Sequence, residues 1–239
     1  MRNLTELEKI EKAFDFRYPE LYRRLCADGM LYAGEFTEDW YEVTYPKIRK
    51  RPPLLLFNCD FELFYAEDVE GELQQMGRAD DYRHIPADLR LVPIGQNGAG
   101  DLYCFFFNAQ EGSDVPVLFA PHDEEDATFV AKNIEDFIFT SLLEAAVSPY
   151  IPEERDEATE YEDLRAQFQS HKKYLTPRRQ KILAEFYARN PFNYEAPASI
   201  GQGTETRRGL LTLEEYAKVM KTEIKFPKLY ETVRYMGDE

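Results

Sequence analysis

Basic charge is what this chain of 239 residues is short of: 29 Lys and Arg stand against 45 Asp and Glu, a formal net charge of −16 at pH 7. The deficit is local. Residues 1–146 carry 14 basic and 29 acidic side chains, a net of −15, whereas residues 147–239 carry 15 and 16. An acidic surface of this kind repels nucleic acid and anionic membranes and draws basic partners from a distance; solubility is the plain alternative. Cysteine is scarce. Cys26, Cys59 and Cys104 are odd in number and far apart, which excludes a disulfide framework and a cysteine metal or redox motif and leaves buried free thiols in a reducing compartment. No stretch approaches the roughly 20 apolar residues that span a bilayer. The opening MRNLTELEKIEKAF lacks the apolar centre of a secretory signal, so the cytoplasm is the expected location, with no membrane contact. There is no internal repeat and no low-complexity tract.

What is present forms a core: 44% hydrophobic residues, with 17 Phe and 16 Tyr. Leu4, Leu7, Ile10 and Phe14 recur at helical spacing and predict a first helix ending near Asp15. Pro19 suits the first turn of a second helix, with Leu21, Tyr22, Leu25 and Cys26 on one face and Gly29 as the stop. Trp40 to Tyr45 and Leu54 to Phe57 read as strands around a basic turn, PKIRKRPP. Val69, Leu73 and Met76 suggest a short helix, and Leu89–Ile94, Asp101–Phe107 and Val115–Phe119 three strands, with TFVA a further extended piece. Asn133, with Asp136 three residues on, caps a helix whose apolar stripe is Ile134, Phe137, Ile138 and Leu142. Helices, a strand-rich middle and a closing helix predict an α+β domain over 1–146 with a central, mainly antiparallel sheet flanked by helices. Residues 147–157 read as a linker. A mostly helical extension, 158–239, follows and is expected to dock on the first domain. Its signals are Tyr161, Leu164 and Phe168, the Thr176-Pro177 helix start, and the Thr212/Glu215 capping box; residues 191–211 look like loop and the tail after them is ambiguous.

Three stretches invite a chemical reading. In GQNGAGDLYCFFF the glycines at 95, 98 and 100 lead into an alternating aromatic strand rather than a helix, and no Lys-Ser or Lys-Thr follows, so the stretch predicts a hairpin bend and not a phosphate loop. Asn97-Gly98 is the turn signal, because both residues tolerate positive φ. HDEED, His122 to Asp126, admits three readings: carboxylates for a hard cation, a solvated acidic loop, or a partner-binding loop. Its consecutive side chains diverge and there is no second histidine at ligand spacing, so no metal and no cofactor is assigned. In AEDVEGEL, Glu67, Asp68, Glu70 and Glu72 are either the wet side of a helix or part of a binding face. His84 and His171 stand alone, the neighbours Ser113-Asp114 and Ser170-His171 say nothing of a triad, and no catalytic residue is assigned.

Taken in order, FRYPELYRRLCADG after a first helix, GAGDLYCFFF, PVLFAPHDEED and VAKNIEDFI resemble the SUKH superfamily in its Smi/Knr-type branch, over about residues 4–146. The segment Leu31 to Arg90 carries none of its motifs. The resemblance implies an α+β fold and no enzyme activity. Many bacterial members look like immunity proteins that neutralise a cognate toxin; fungal members look like regulatory scaffolds of cell-wall synthesis. The acidity adds an independent point: a toxin that cuts nucleic acid presents a basic surface, and an acidic inhibitor associates with it quickly. The sequence therefore predicts a cytoplasmic immunity protein that occludes a basic toxin, with Glu67, Asp68, Glu70, Glu72, Asp123, Glu124, Glu125 and Asp126 as contacts. A non-catalytic regulatory scaffold is the alternative, and a metal-dependent hydrolase built on His122 a third. The extension is left three roles: touching the toxin, covering a sheet edge, or making a homodimer.

Overall fold

Local signals set the helix ends. In the computed structural model, which describes residues 3–58, 60–147, 149, 156–198 and 203–237, Asn3 Oδ1 accepts from the Glu6 amide and starts α1 (Leu4–Ala13). Pro19 stands one residue before α2 (Glu20–Ala27), and Gly29, at φ 75°, turns the chain out of it. Two single-turn helices, α3 (Trp40–Val43) and α4 (Tyr45–Ile48), precede β1 (Glu62–Leu63) and α5 (Ala66–Met76). Then come β2 (Leu91–Gln96), β3 (Leu102–Phe106), β4 (Val117–Ala120), β5 (Asp126–Ala131) and α6 (Ile134–Val147). Asn133 caps α6 as its sequence predicts, accepting from the Asp136 amide. The remainder is α7 (Glu157–His171), α8 (Pro177–Tyr187), β6 (Phe192–Pro197), β7 (Thr204–Gly209), α9 (Leu213–Glu223) and β8 (Thr232–Arg234). Of the linker read at 147–157, residues 148 and 150–155 lie outside the described residues, as does Cys59.

The chain divides into two units, and the division falls inside α6 rather than at residue 147. The first unit takes residues 1–34, 60–137 and 226–239; the second takes 35–59 and 138–225. The first is built on an antiparallel sheet of six strands in the order β1-β2-β3-β4-β5-β8, so the fold class is α+β. Its strands are short and aromatic, and their buried residues (Ile94, Cys104, Phe105, Val117, Leu118, Ala127) join Leu7, Leu25 and Val69 from the helices. Each such large apolar side chain contributes about 1.5–3 kcal/mol when fully buried. Tyr18 and Tyr22 stack at 4.9 Å, with Tyr22 edge-on to Phe105 at 5.2 Å. Pro93 lacks an amide, and it sits where the β2–β3 register shifts, between Pro93 and Gly95. At Gly95 the neighbouring strand passes so close that a Cβ would lie 2.5 Å from the Glu62 carbonyl oxygen.

The second unit corrects two expectations. Trp40–Tyr45 and Leu54–Phe57 are not strands: the first is helical and the second a turn. Pro52 and Pro53 cannot donate to a ladder, and the Leu55 and Phe57 amides find their acceptors on α7 side chains instead of on a strand. Residues 191–211 are not loop throughout, because β6 and β7 pair as an antiparallel hairpin. The ambiguous tail is resolved as well, since β8 extends the main sheet beside β5. α7 carries an apolar stripe, Tyr161, Leu164 and Phe168, and beside it a buried polar one, Glu160, Asp163, Gln167 and His171. The Thr212/Glu215 capping box forms, and Arg189 grips Glu215 at 2.9 Å.

Candidate partner-binding surface

The glycine stretch is a hairpin loop that satisfies itself. Asn97 Oδ1 accepts from the amides of Ala99 (3.0 Å) and Asp101 (2.9 Å), and its Nδ2 donates to Asp101 Oδ2 (2.8 Å). The Asn97 and Gly100 amides bond within the same loop. A phosphate cradle needs such amides converging on the ligand, and here they are spent. The residue that needs positive φ is Gly100, at 89°, not Asn97 or Gly98.

Asp101 then reaches across to the end of β4. Its Oδ1 accepts from the His122 amide (3.0 Å) and lies 2.7 Å from His122 Nδ1. Burial alone would raise the Asp101 pKa, but the bonds from His122 and Asn97 outweigh it and hold the carboxyl below its ordinary range. Asp101, His122 and Asp123 bring one ligand atom each within 4.8 Å of the others. Two carboxylates and an imidazole are donors that a divalent cation accepts. The bonds between Asp101 and His122 anchor the loop that leads to β5.

Of the eight acidic residues singled out by sequence, seven are exposed and Glu72 is half-buried; Glu72 and Glu125 are each paired with an arginine. Glu67, Asp68 and Glu70 lie exposed along α5, with Asp68 accepting from the Tyr65 amide at 2.8 Å as part of the helix cap. Glu72 turns inward to Arg83 at 3.1 Å. Arg83 is buried and also forked onto the buried Asp81 through Nε and Nη2, at 2.8 Å each. Burial disfavours the guanidinium charge, and the bonds to Asp81 and Glu72 more than offset that, so its pKa rises. Asp123, Glu124, Glu125 and Asp126 are all exposed, but Glu125 pairs with Arg234 at 2.9 Å and its carbonyl accepts from the Tyr235 and Met236 amides. Glu72 and His122, one residue from each acidic stretch, line a small polar cleft together with Gln75, Arg83 and Tyr235, and none of the carboxylates 123–126 lines it. Glu67, Asp68 and Glu70 lie away from it.

His171 is no general base. It is fully buried, its Nε2 accepts from the Leu55 amide at 3.1 Å, and the proton this leaves on Nδ1 faces the Gln167 carbonyl at 2.7 Å. The adjacent Ser170 hydroxyl lies 3.0 Å from the Pro52 carbonyl. Burial lowers the His171 pKa to about 4, so the ring is neutral near pH 7. The pair is structural: together with Gln167, which accepts from the Phe57 amide (2.7 Å) and donates to Asn58 Oδ1 (2.7 Å), it clamps residues 52–58.

Sequence reasoning missed a third surface. Phe36, Tyr41 and Val43 are 67, 71 and 43% exposed, three of the five large exposed apolar side chains among the described residues. The signal stands in EFTEDWYEV, where aromatic and acidic residues mix without a basic one, although Trp40 to Tyr45 reads from sequence as a strand.

Among the described residues, no helix is long and apolar enough to cross a membrane. A family model described as the SMI1 / KNR4 family (SUKH-1) matches residues 3–140. No curated protein matches the chain, and no solved structure does.

Proposed function

Because the chain belongs to the SMI1 / KNR4 family (SUKH-1), a family of immunity and regulator-type proteins that bind protein partners, we propose that it is an immunity protein that neutralises a basic protein toxin by occluding it in the cytoplasm of the producing cell. The observation that carries this reading is the concentration of charge: a net of −15 in residues 1–146, with the carboxylates of Asp123, Glu124 and Asp126 displayed together at the start of β5. Opposite charge speeds association, and carboxylates can occupy positions a toxin reserves for phosphate. The binding face of this proposal is the 123–126 loop with Glu67, Asp68 and Glu70 as flanking charge; Glu72 acts through Arg83 rather than by contact.

The test is co-expression with the product of an adjacent gene encoding a modular toxin, scored for survival and co-purification. Reversing Asp123, Glu124 and Asp126 to lysine is expected to slow association about tenfold and flatten its salt dependence. Unchanged rates remove the loop from the interface. An isolated gene, and no toxin that co-purifies, turns the reading toward a regulatory scaffold.

A further inference from the structure

The exposed aromatic surface at 36–45 differs from the other acidic faces in having an apolar centre. Phe36 stacks on Trp40 with centroids 5.1 Å apart, and Tyr41 stands edge-on to Trp40 at 5.0 Å. Tyr45 lies 6.0 Å from Trp40 and 6.1 Å from Tyr41 and closes the cluster. Trp40 itself is buried, so it forms the floor, while Phe36 and Tyr41 offer their surfaces to solvent. The floor is anchored from below. The Tyr45 hydroxyl donates to Asp163, a buried α7 residue that also holds Arg49 Nη2 at 2.8 Å. In the sequence Glu35, Glu38, Asp39 and Glu42, all exposed, are interspersed with these rings, and no basic residue occurs between Gly34 and Pro46; the Tyr45 ring already carries the Arg49 guanidinium at 5.6 Å.

Rigid aromatic anchors inside a charged rim are the anatomy of a binding hot spot, because held rings lose little conformational freedom when a partner arrives. The charge of the rim selects the partner. Aromatic faces and carboxylates both favour guanidinium and ammonium groups, while the aliphatic stems of those side chains cover the rings. A second copy of this chain would bring four more carboxylates to the same place. We infer that residues 35–45 are a docking patch for a basic segment of a partner protein, one that intersperses Arg or Lys with apolar side chains. The inference rests on the reading of the chain as a binder of a basic protein.

Trp40 is the only tryptophan, so its emission reports on the patch directly. The probe is a short synthetic peptide alternating arginine and leucine, titrated into the full chain at physiological salt. Two controls replace arginine by glutamate and leucine by serine. A saturable, one-to-one change in Trp40 emission is expected for the first peptide only. Phe36→Ser combined with Tyr41→Ser, two largely exposed positions that leave the melting temperature in place, is expected to weaken binding at least about tenfold. Glu38→Lys with Glu42→Lys should do the same. Glu185→Lys with Glu231→Lys, exposed carboxylates outside both proposed faces, should not. No saturable emission change, equal affinity in the serine variant, or self-association that the serine variant abolishes would each overturn the patch. If peptide binding depends on the 123–126 loop instead, the patch fails while the basic-partner reading stands. If the patch binds the peptide but no toxin pairs with the chain, the patch stands and the immunity reading fails.

Discussion

His171 couples the stability of its surroundings to pH. In the folded chain the ring is buried and neutral, with a pKa near 4, whereas an unfolded histidine takes up a proton at about 6.5. Between those values the unfolded state binds more protons, so stability falls as the pH is lowered from 6.5 towards 4 and is fully retained above 6.5. The shift corresponds to roughly 3 kcal/mol over that window. His171→Asn removes the titration. The variant should be less stable than the parent at pH 7, having lost a buried acceptor, and the gap should narrow by up to about 3 kcal/mol at pH 4. Urea unfolding at several pH values measures this; a gap that stays constant would mean that His171 titrates in the fold as it does in the unfolded chain.

At the scale of the element, α7 replaces a β partner for the segment it holds. Leu55 and Phe57 donate to His171 and Gln167, and Arg49 and Tyr45 bind Asp163, all from one helical stripe. Gln167→Leu should cost about 1–3 kcal/mol by leaving the Phe57 amide without its acceptor. Hydrogen exchange should show that amide losing protection while those of β3 keep theirs; loss spread evenly over both would point to global destabilisation instead. This stripe also explains what could be read from the sequence and what could not. Caps are local chemistry, so Asn133 with Asp136 and Thr212 with Glu215 announced α6 and α9 correctly. The β2–β3 hairpin is legible because its turn and alternation lie in one stretch, although the residue at positive φ is Gly100 rather than Asn97 or Gly98. Residues 40–57 were misread because their partners stand more than 100 residues away, and short apolar runs look alike as strand, turn or helix. Hairpin β6–β7 is hard to read because its strands lie largely at the surface and TETRRG has no apolar side chain to answer the alternation of FNYEAP. Of the candidate site, the acidic exposure could be read, but the diversion of Glu72 to Arg83 and of Glu125 to Arg234 depends on tertiary placement.

At the scale of the whole molecule, the family match ends at residue 140, yet residues 35–59 share a unit with 138–225. Cutting the chain after residue 146 would keep everything the family model covers and remove Asp163, Gln167 and His171 together. The truncated chain should show Trp40 emission shifted to the red and a lower melting temperature, because Tyr45 and the 52–58 turn lose their anchors. Unchanged emission would show that residues 35–59 hold their shape unaided. The order of strands carries a different consequence. β8 borders β5 in space but follows it by about 100 residues in the chain, and at a synthesis rate of roughly 5–20 residues per second the ribosome needs on the order of ten seconds to deliver it. For that interval the nascent polypeptide carries an open ribbon margin along β5 that β8 covers in the finished molecule.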